Sequence, residues 1–287
     1  MRRIALLLLF AANIQAAAAA VDIDTAAQVY ADSAMREQVR ASLGAMPAHI
    51  RKLFEGNTSS PLTDVQLAAV TAAAKHGFRI DVFEAPALTA FAAKLDPVTV
   101  KKSEAFLLSD VGKRMVAADL ALARLEESQT DKVMNGEITA PTTPERDALF
   151  DKMERAQHST ESTVQIFLSM GSAVALGTAV GSGMDAGPVA ERARKSGEAS
   201  RASLEHDMHA PLLRYLAYGY RDLSDADLKH MLTFLQSTAG THYVAANIAS
   251  LEAGFDAMGK RCGEQLGESF RELAQAQLAT ESGAAQH

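Results

Sequence analysis

The segment that decides the fold is LSDADLKHMLTFLQSTAGTHYVAANIA, residues 223–249. Ser224 followed by two aspartates predicts a helix start, because a serine hydroxyl accepts a hydrogen bond from a first-turn amide and acids favour the positive end of the helix dipole. Large apolar residues then recur at helical spacing, and Ser237 and Gly240 close that helix. A second apolar series begins at Val244 and steps by four and three. The segment therefore predicts an antiparallel helical hairpin.

An earlier stretch, residues 95–121, repeats this segment at a constant shift of 128 residues. Its sequence is LDPVTVKKSEAFLLSDVGKRMVAADLA, and ten of the 27 positions are identical without a gap. Roughly two identities would be expected from average composition. Three of the ten are alanines, but the other seven are not, so duplication is the better explanation. The two halves of the chain are expected to share a fold.

The first copy departs from the second in two places. Asp96 and Pro97 replace the serine start by a different cap and a first-turn proline, which serve the same purpose. Ser103 and Glu104 stand where the second copy has methionine and leucine. The first hairpin is therefore expected to have a wetter face at this point or a different pairing.

The amino terminus has the order of a cleavable secretory signal. Arg2 and Arg3 precede the apolar run Ile4–Phe10, and a string of alanines ends at Ala20. The apolar run is far shorter than the roughly 20 residues that a membrane span needs. Residues 1–20 are therefore predicted to be a signal peptide, and the mature chain is expected in the periplasm or outside the cell.

Charge and composition exclude one class of function and favour helices. Without the signal peptide the chain loses two arginines and no acids, which leaves 26 Lys and Arg against 35 Asp and Glu. This acidic balance disfavours nucleic-acid binding, which needs a basic surface to displace counterions from phosphates. Abundant alanine, few prolines and the lack of tryptophan favour helices with modest side chains.

Residues that begin and end helices recur along the mature chain, whereas the alternation of apolar and polar residues that is typical of β-strands does not. The composition between residues 128 and 143 turns to Asn135-Gly136 and proline with few large apolar residues, which is typical of a linker. We predict an all-α fold of about ten helices, packed as helical hairpins in two related halves. The halves are residues 21–127 and 144–278, joined by the linker 128–143, and the chain is expected to end in a disordered tail over 279–287.

Several local motifs predict where individual helices begin and end. Thr25–Gln28 and Thr63–Gln66 both fit a capping box, in which the threonine hydroxyl and the glutamine side chain satisfy free amides reciprocally. Gly44 and Gly77 then stand where a left-handed residue would close those helices. Thr143–Glu145 places a cap, a first-turn proline and an acid before an apolar series, which predicts another start.

The run from Leu223 to Gly240 resembles the signature of a family of secreted bacterial proteins, domain-of-unknown-function family twenty fifty-nine. In that family an acidic helix start leads into an aromatic pair, then Ser and Gly, then a long amphipathic helix. The family's Tyr after Phe is Leu235 here, its Pro after Ser is Thr238, and its Gln-Lys after Gly is Thr241-His242. Residues 95–121 look like a more diverged copy. The resemblance implies a helical, exported protein and supplies no catalytic residues.

The segment Val164–Met184 contains no charged residue, and Ser169, Ala173, Gly177 and Gly181 are spaced by four. Small residues at this spacing let two helix backbones approach closely. One interpretation is a membrane-inserting or oligomerising helix. The favoured one is a central helix of the second half, apolar because it is surrounded, since its glycines and hydroxyls make a weak membrane span. Both interpretations predict a close partner helix.

Histidines offer the one candidate metal cluster. His206 and His209 lie three residues apart beside carboxylates, but no third or fourth ligand stands at recognisable spacing. We interpret this stretch as a solvated helix end before Pro211. His230 and His242 belong to the second repeat copy, where long cations in the first copy indicate exposed positions.

A single cysteine, Cys262, is the remaining candidate for chemistry. It has no internal disulfide partner, so it is a packed thiol or half of an intermolecular bridge, and the packed thiol is favoured. Neighbouring cations would lower its pKa, but no base for catalysis is identified. The sequence therefore assigns no catalytic, cofactor-binding or metal residue.

The function expected from these observations is that of a non-enzymatic binding or interaction protein, with a groove between hairpins that receives a protein or peptide partner. The first alternative is a membrane-associated protein that acts through residues 164–184. The second is a hydrolase with an unrecognised site.

Overall fold

The computed structural model describes residues 21–44, 46–55 and 61–284, and in that part of the chain all regular secondary structure is helical. The all-α prediction is confirmed, with thirteen helices in the described part. The predicted signal peptide, residues 1–20, lies outside the described residues. In chain order the helices are α1 (Ile23–Asp32), α2 (Met35–Leu43), α3 (Met46–Glu55), α4 (Asp64–Gly77), α5 (Ile80–Ala92), α6 (Pro97–Leu107), α7 (Asp110–Ala123), α8 (Glu127–Met134), α9 (Pro144–Gln157), α10 (Ser159–Gly181), α11 (Ala186–Gly219), α12 (Asp225–Leu235) and α13 (Thr238–Ala284).

The two copies of the repeat form the predicted helical hairpins, α6–α7 and α12–α13. Asp96 caps α6 and Ser224 caps α12, each by accepting a hydrogen bond from a first-turn amide. Pro97 stands at the first position of α6, where no amide hydrogen is needed. Different residues therefore start the two hairpins at equivalent positions.

The turns of the two hairpins are alike. Ser109 and Ser237 each donate a hydrogen bond to the carbonyl three residues earlier, over 2.6 and 2.7 Å. Each hydroxyl also accepts from the amide of a glycine three residues later, Gly112 over 3.1 Å and Gly240 over 3.0 Å. A Cβ on either glycine would collide with the carbonyl oxygen of the phenylalanine six residues earlier. The identical Ser and Gly of the repeat are thus explained by a shared turn.

The hairpins meet through equivalent residues. The rings of Phe106 and Phe234, which occupy the same repeat position, stack with centroids 4.0 Å apart and planes inclined by 6°. Ser103 lies beside this contact and is fully buried, with its hydroxyl unpaired among the described residues. The wetter face is therefore wrong at Ser103, and it holds at Glu104, which is partly exposed where Leu232 of the second copy is buried.

Polar contacts between the hairpins are reciprocal. Arg114 bonds to Asp227 over 2.6 Å, and His242, the repeat equivalent of Arg114, lies 3.3 Å from the hydroxyl of Thr99, the equivalent of Asp227. His242 also lies 3.0 Å from Asp96. A contact that recurs with the two partners exchanged is the mark of a two-fold axis. The hairpins therefore pack around a local two-fold axis within one chain.

One continuous core joins the two halves. Residues of α1, α5, α12 and α13 contribute to the same buried cluster, and edge-to-face aromatic pairs bind α5 to α13. Phe83 lies 5.5 Å from Phe255, and Phe91 lies 6.3 Å from Tyr243, centroid to centroid. Such pairs contribute about 0.5–1.5 kcal/mol beyond the apolar area they bury. The predicted halves are therefore related by sequence but do not pack as separate domains.

The predicted linker and tail are partly helical. Helix α8 occupies residues 127–134, with Val133 fully buried against α11. A single buried apolar residue in a helix of eight residues was too weak a pattern to predict this helix. Residues 135–143 are non-helical, as expected. Helix α13 continues to Ala284, so the disordered tail is wrong for residues 279–284, and the rest of it lies outside the described residues.

Two of the predicted helix starts are confirmed and one is displaced. Thr63 forms the expected capping box and Thr143 caps α9. The first helix instead begins after Asp22, whose carboxylate accepts from the amide and hydroxyl of Thr25. Thr25 therefore lies in the first turn. Gly77 ends α4 without a positive φ, and Gly44 has φ −60°, so the predicted left-handed closures are wrong at both. A Cβ on Gly77 would collide with the backbone of α13 at Cys262, which explains the glycine there.

The predicted close partner of the uncharged segment is α13. A Cβ on Gly177 or Gly181 of α10 would collide with carbonyls of α13, and one on Gly263 would collide with a carbonyl of α10. Helices α13 and α11, with a small contact from α9, cover part of this helix. Its outer sides remain open, since Phe167 is 49% and Val180 53% exposed. The segment is therefore not apolar through being surrounded, and the favoured interpretation as a central buried helix is wrong on its outer sides.

Candidate functional site

A cavity lies between the two hairpins, next to their local two-fold axis. It has a volume of about 250 Å³ and is bounded by the α1–α2 turn, α7, the α9–α10 junction, the end of α12 and α13. Its polar lining is Ser33, Gln38, Asp119, Gln157, Ser159, Ser162, Thr163, Tyr243 and Asn247. Its apolar lining is Met35, Met115, Phe234, Leu235, Val244, Ile248 and Leu251. The lining thus combines hydrogen-bonding groups with aliphatic walls and includes no lysine, arginine or histidine.

Asp119 is the one ionisable carboxyl group of the lining. The hydroxyl of Tyr220 donates a hydrogen bond to its Oδ1 over 2.7 Å. Desolvation raises the pKa of Asp119 from 3.8 to about 7, and the hydrogen bond from Tyr220 opposes that rise only in part. A carboxyl group with such a pKa changes charge near neutral pH. The cavity can therefore present either an acid or a carboxylate to a ligand.

Asn247 is the repeat equivalent of Asp119, one on α13 and the other on α7. Its Oδ1 atom is buried and has no hydrogen-bond partner among the described residues. Tyr243 lies beside it, and burial raises the pKa of that tyrosine to about 12. The local two-fold axis thus brings the two polar residues of this repeat position to the same cavity.

One further unpaired polar atom lies on α1, on the residue before Ser33 of the lining. One carboxylate oxygen of Asp32 is buried without a hydrogen-bond partner in the described part of the chain. Each unsatisfied buried group costs about 1–3 kcal/mol, and buried polar groups in proteins are nearly always satisfied. This region therefore retains hydrogen-bonding capacity for a non-protein partner, whether water or a ligand.

Backbone strain borders the cavity on both sides. Ala34 has φ 53° and His158 φ 52°, the two positive values found at non-glycine residues of the described chain. The neighbours of Ala34, Ser33 and Met35, line the cavity, as do those of His158. A left-handed residue other than glycine costs about 1–2 kcal/mol, and strain of this kind clusters at functional sites.

A second cavity of about 290 Å³ continues from the first. The two share Asp119, Met35, Gln38 and Leu251. The second is otherwise lined mainly by apolar side chains of α2, α7 and α13. A ligand that reaches Asp119 therefore has an apolar channel alongside α2 for the rest of its length.

The histidine cluster does not form a metal centre in the described part of the chain. Helix α11 continues through Pro211, so the predicted helix end is wrong. His206 is exposed, while His209 lies 3.7 Å from the buried carboxylate of Glu154 and 3.3 Å from the hydroxyl of Thr160. Within the described ranges, no three His, Cys, Asp or Glu side chains converge. His209 serves instead as a contact between α11 and the α9–α10 junction.

Cys262 is a packed thiol, as predicted. It is buried, and α4 approaches it so closely that only Gly77 fits opposite. Burial raises the pKa of this thiol to about 11. The suggested activation by neighbouring cations is therefore wrong, since Lys260 and Arg261 are exposed while the thiol is not.

Sequence reasoning missed the Asp119 cavity although one signal was present. Asp119 and Asn247 are the polar members of otherwise apolar runs at the same position of the two repeat copies. A polar residue at a matching position in both copies suggests a buried polar pair. No sequence pattern, however, indicates that Ser33 and Ser159 from outside the repeats complete the lining.

Comparison with protein-family models, with curated proteins and with solved structures gave no match. The resemblance of residues 223–240 to family twenty fifty-nine stays a prediction.

Proposed function

We propose that the mature chain is a non-enzymatic binding protein of the periplasm or extracellular space, which takes a small ligand or a peptide side chain into the Asp119 cavity. The observation that carries the proposal is a cavity of about 250 Å³ that combines hydrogen-bonding side chains and the Asp119 carboxyl group with apolar walls. Ligand sites in proteins commonly have this mixture of apolar walls and a few polar groups. Secretion rests on the pattern of residues 1–20, and membership of family twenty fifty-nine is proposed on residues 223–240.

Binding is favoured over hydrolysis by the state of the nearby hydroxyls. Ser162 donates to the carbonyl of Ser159, and the hydroxyl of Ser159 bonds to Gln157. Neither hydroxyl is hydrogen-bonded to Asp119, whose partner in the described chain is Tyr220. A nucleophile needs a base within hydrogen-bond reach. Silence of the mature chain toward serine- and cysteine-directed activity probes is therefore expected, and labelling at Ser159 or Ser162 would favour the hydrolase.

The binding proposal is tested by thermal unfolding of the mature chain against a panel of small amines, carboxylates, sugars and short peptides. A ligand at 100 times its Kd raises the free energy of unfolding by about 2.7 kcal/mol. Ser162→Leu fills part of the cavity and is expected to abolish the shift, whereas Ser196→Leu, on an exposed site of α11, is expected to keep it. No shift with any class, or equal shifts in both variants, would refute the proposal.

A second candidate function is membrane association through α10. This is the one described helix that is long and apolar enough to cross a membrane, by length and composition, and 28% of its most apolar window is buried. Phe167, Val180 and Met184 are each about half exposed on or just after it. These exposed apolar side chains favour contact with a lipid surface, which would cover them.

Liposome flotation separates the two candidates. Phe167→Asp places a charge on the exposed side of α10, and Val65→Asp places one on an equally apolar exposed site of α4. Association that is lost in Phe167→Asp and kept in Val65→Asp supports the membrane function. Absence of the parent protein from the lipid fraction refutes it.

A further inference from the structure

The Asp119 cavity is selective by the kind of polar atom it offers. Asp119 carries the one carboxyl group of the lining, several of its neighbours there are hydroxyl groups, and the lining contains no cationic side chain. An anionic ligand would find no positive charge there, and it would meet the carboxyl group of Asp119. A ligand that carries several donors and a positive charge would bond to this carboxyl group and to hydroxyl oxygens of the lining.

We infer that the ligand presents an alkylammonium group, which binds to Asp119 with its aliphatic stem along the apolar wall. This inference rests on the proposed binding function and names its ligand class. The ammonium group has three donors and no acceptor, which suits a site formed by a carboxylate and hydroxyl oxygens. A free alkylamine and a lysine side chain of a peptide share this chemistry.

The dimensions of the cavity agree with such a ligand. A volume of about 250 Å³ corresponds to roughly eight water molecules at about 30 Å³ each. A five-carbon amine has six heavy atoms and fits this space. Val244, Ile248 and Leu251 follow one side of α13 and provide the wall for the stem. The continuing cavity beside α2 gives room for whatever the stem is attached to.

Binding is coupled to a proton on Asp119. The ionisable groups that face or influence it are Tyr215 and Tyr220 of α11 and Tyr243 of α13. The tyrosines stay neutral because burial raises their pKa values. The pKa of Asp119 lies at about 7, so an ammonium ion must displace its proton in acid. Affinity is expected to fall roughly 100-fold from pH 8 to pH 5.

The test is isothermal titration of the mature chain at pH 8 and pH 5 with three probes: pentylamine, pentan-1-ol and Nα-acetyl-lysine N-methylamide. Pentanol has the same stem without the charge. Asp119→Asn removes the carboxylate, and Asp110→Asn, on an exposed site in the first turn of α7, is the matched control. We expect an amine to bind at pH 8, at least tenfold more weakly at pH 5 and in Asp119→Asn, and unchanged in Asp110→Asn.

The outcomes distinguish the inference from the function on which it rests. Binding of pentylamine alone indicates a free amine, and binding of the lysine derivative indicates a peptide side chain; both support the inference. Equal binding of pentanol, or amine binding that Asp119→Asn leaves intact, overturns the ammonium site while the cavity remains a binding site. No binding by these probes overturns the ammonium site, and silence of the wider panel in thermal unfolding overturns the proposed function as well.

Discussion

Replacing Asp119 with Asn is expected to stabilise the protein increasingly as the pH rises. The carboxyl group has a pKa of about 7 in the folded chain, against 3.8 ordinarily, because burial disfavours its charged form. Below about pH 4 the group is protonated in the folded and the unfolded chain, so its contribution to stability is fully present. As the pH rises towards 7, the unfolded chain ionises first and that contribution is lost. Asparagine keeps an acceptor for Tyr220 and carries no charge to bury.

The magnitude follows from the two pKa values. Displacement of the pKa from 3.8 to about 7 corresponds to roughly 4 kcal/mol at pH 8 and about 1.5 kcal/mol at pH 5. The free energy of unfolding of Asp119→Asn, minus that of the parent, should therefore grow by about 2.5 kcal/mol between these pH values. Each kcal/mol shifts the melting temperature of a chain this size by about 2–4 °C. The gain should increase by about 5–10 °C from pH 5 to pH 8.

Urea unfolding followed by circular dichroism at pH 5, 6.5 and 8 measures this difference directly. Other carboxylates, such as Asp96 with a pKa near 2, titrate in both proteins and cancel in the comparison. Asp110→Asn removes an exposed carboxylate of the same helix and should not reproduce this growth of the difference with pH. If the difference between Asp119→Asn and the parent stayed constant from pH 5 to pH 8, the raised pKa of Asp119 would be disproved. The coupling of ligand binding to a proton on Asp119 would be disproved with it.

Four further predictions concern the packing. Gly177→Ala should lower the free energy of unfolding by about 1–3 kcal/mol, because a Cβ collides with the backbone of α13. Gly171→Ala, on the open side of the same helix, should raise the free energy of unfolding by about 0.5–1 kcal/mol. Equal effects of the two substitutions in urea unfolding would contradict the close contact between α10 and α13. Gly240→Ala should destabilise by a similar 1–3 kcal/mol through the carbonyl in the hairpin turn, and a neutral result would exclude that turn. Cys262 should not react with Ellman's reagent at pH 8 until urea unfolds the chain, because it is buried and its pKa lies at about 11; rapid reaction of the native protein would disprove the packed thiol. Arg146→Lys should destabilise by about 1–3 kcal/mol, because the guanidinium bonds to Asp225 and to three carbonyls after α11, and an unchanged melting temperature would show that these bonds are unimportant.

Much of the fold could be predicted because it depends on interactions between residues that are close in sequence. The caps at Thr63 and Thr143 and the turns at Gly112 and Gly240 each depend on residues within one turn of helix. Such contacts need no knowledge of the rest of the chain. The repeat added long-range information, since equivalent positions in two copies imply equivalent turns.

Predictions failed where a distant helix decides the structure. Helix α8 forms because Val133 packs against α11, and Gly77 is required because α13 crosses it next to Cys262. The outer sides of α10 are exposed although its sequence reads as a buried helix. In each case the local sequence is compatible with two outcomes, and packing selects one.

The sequence by itself determined the helices, their caps and the two matching hairpins, because those features depend on hydrogen bonds and apolar spacing between near neighbours. Only the tertiary structure decided that the hairpins face each other around a two-fold axis, which places Asp119 and Asn247 at one cavity. The pKa of that carboxyl group is likewise set by side chains from other helices. Burial is a property of the assembled molecule, and it converts an ordinary aspartate into a group that titrates near neutral pH.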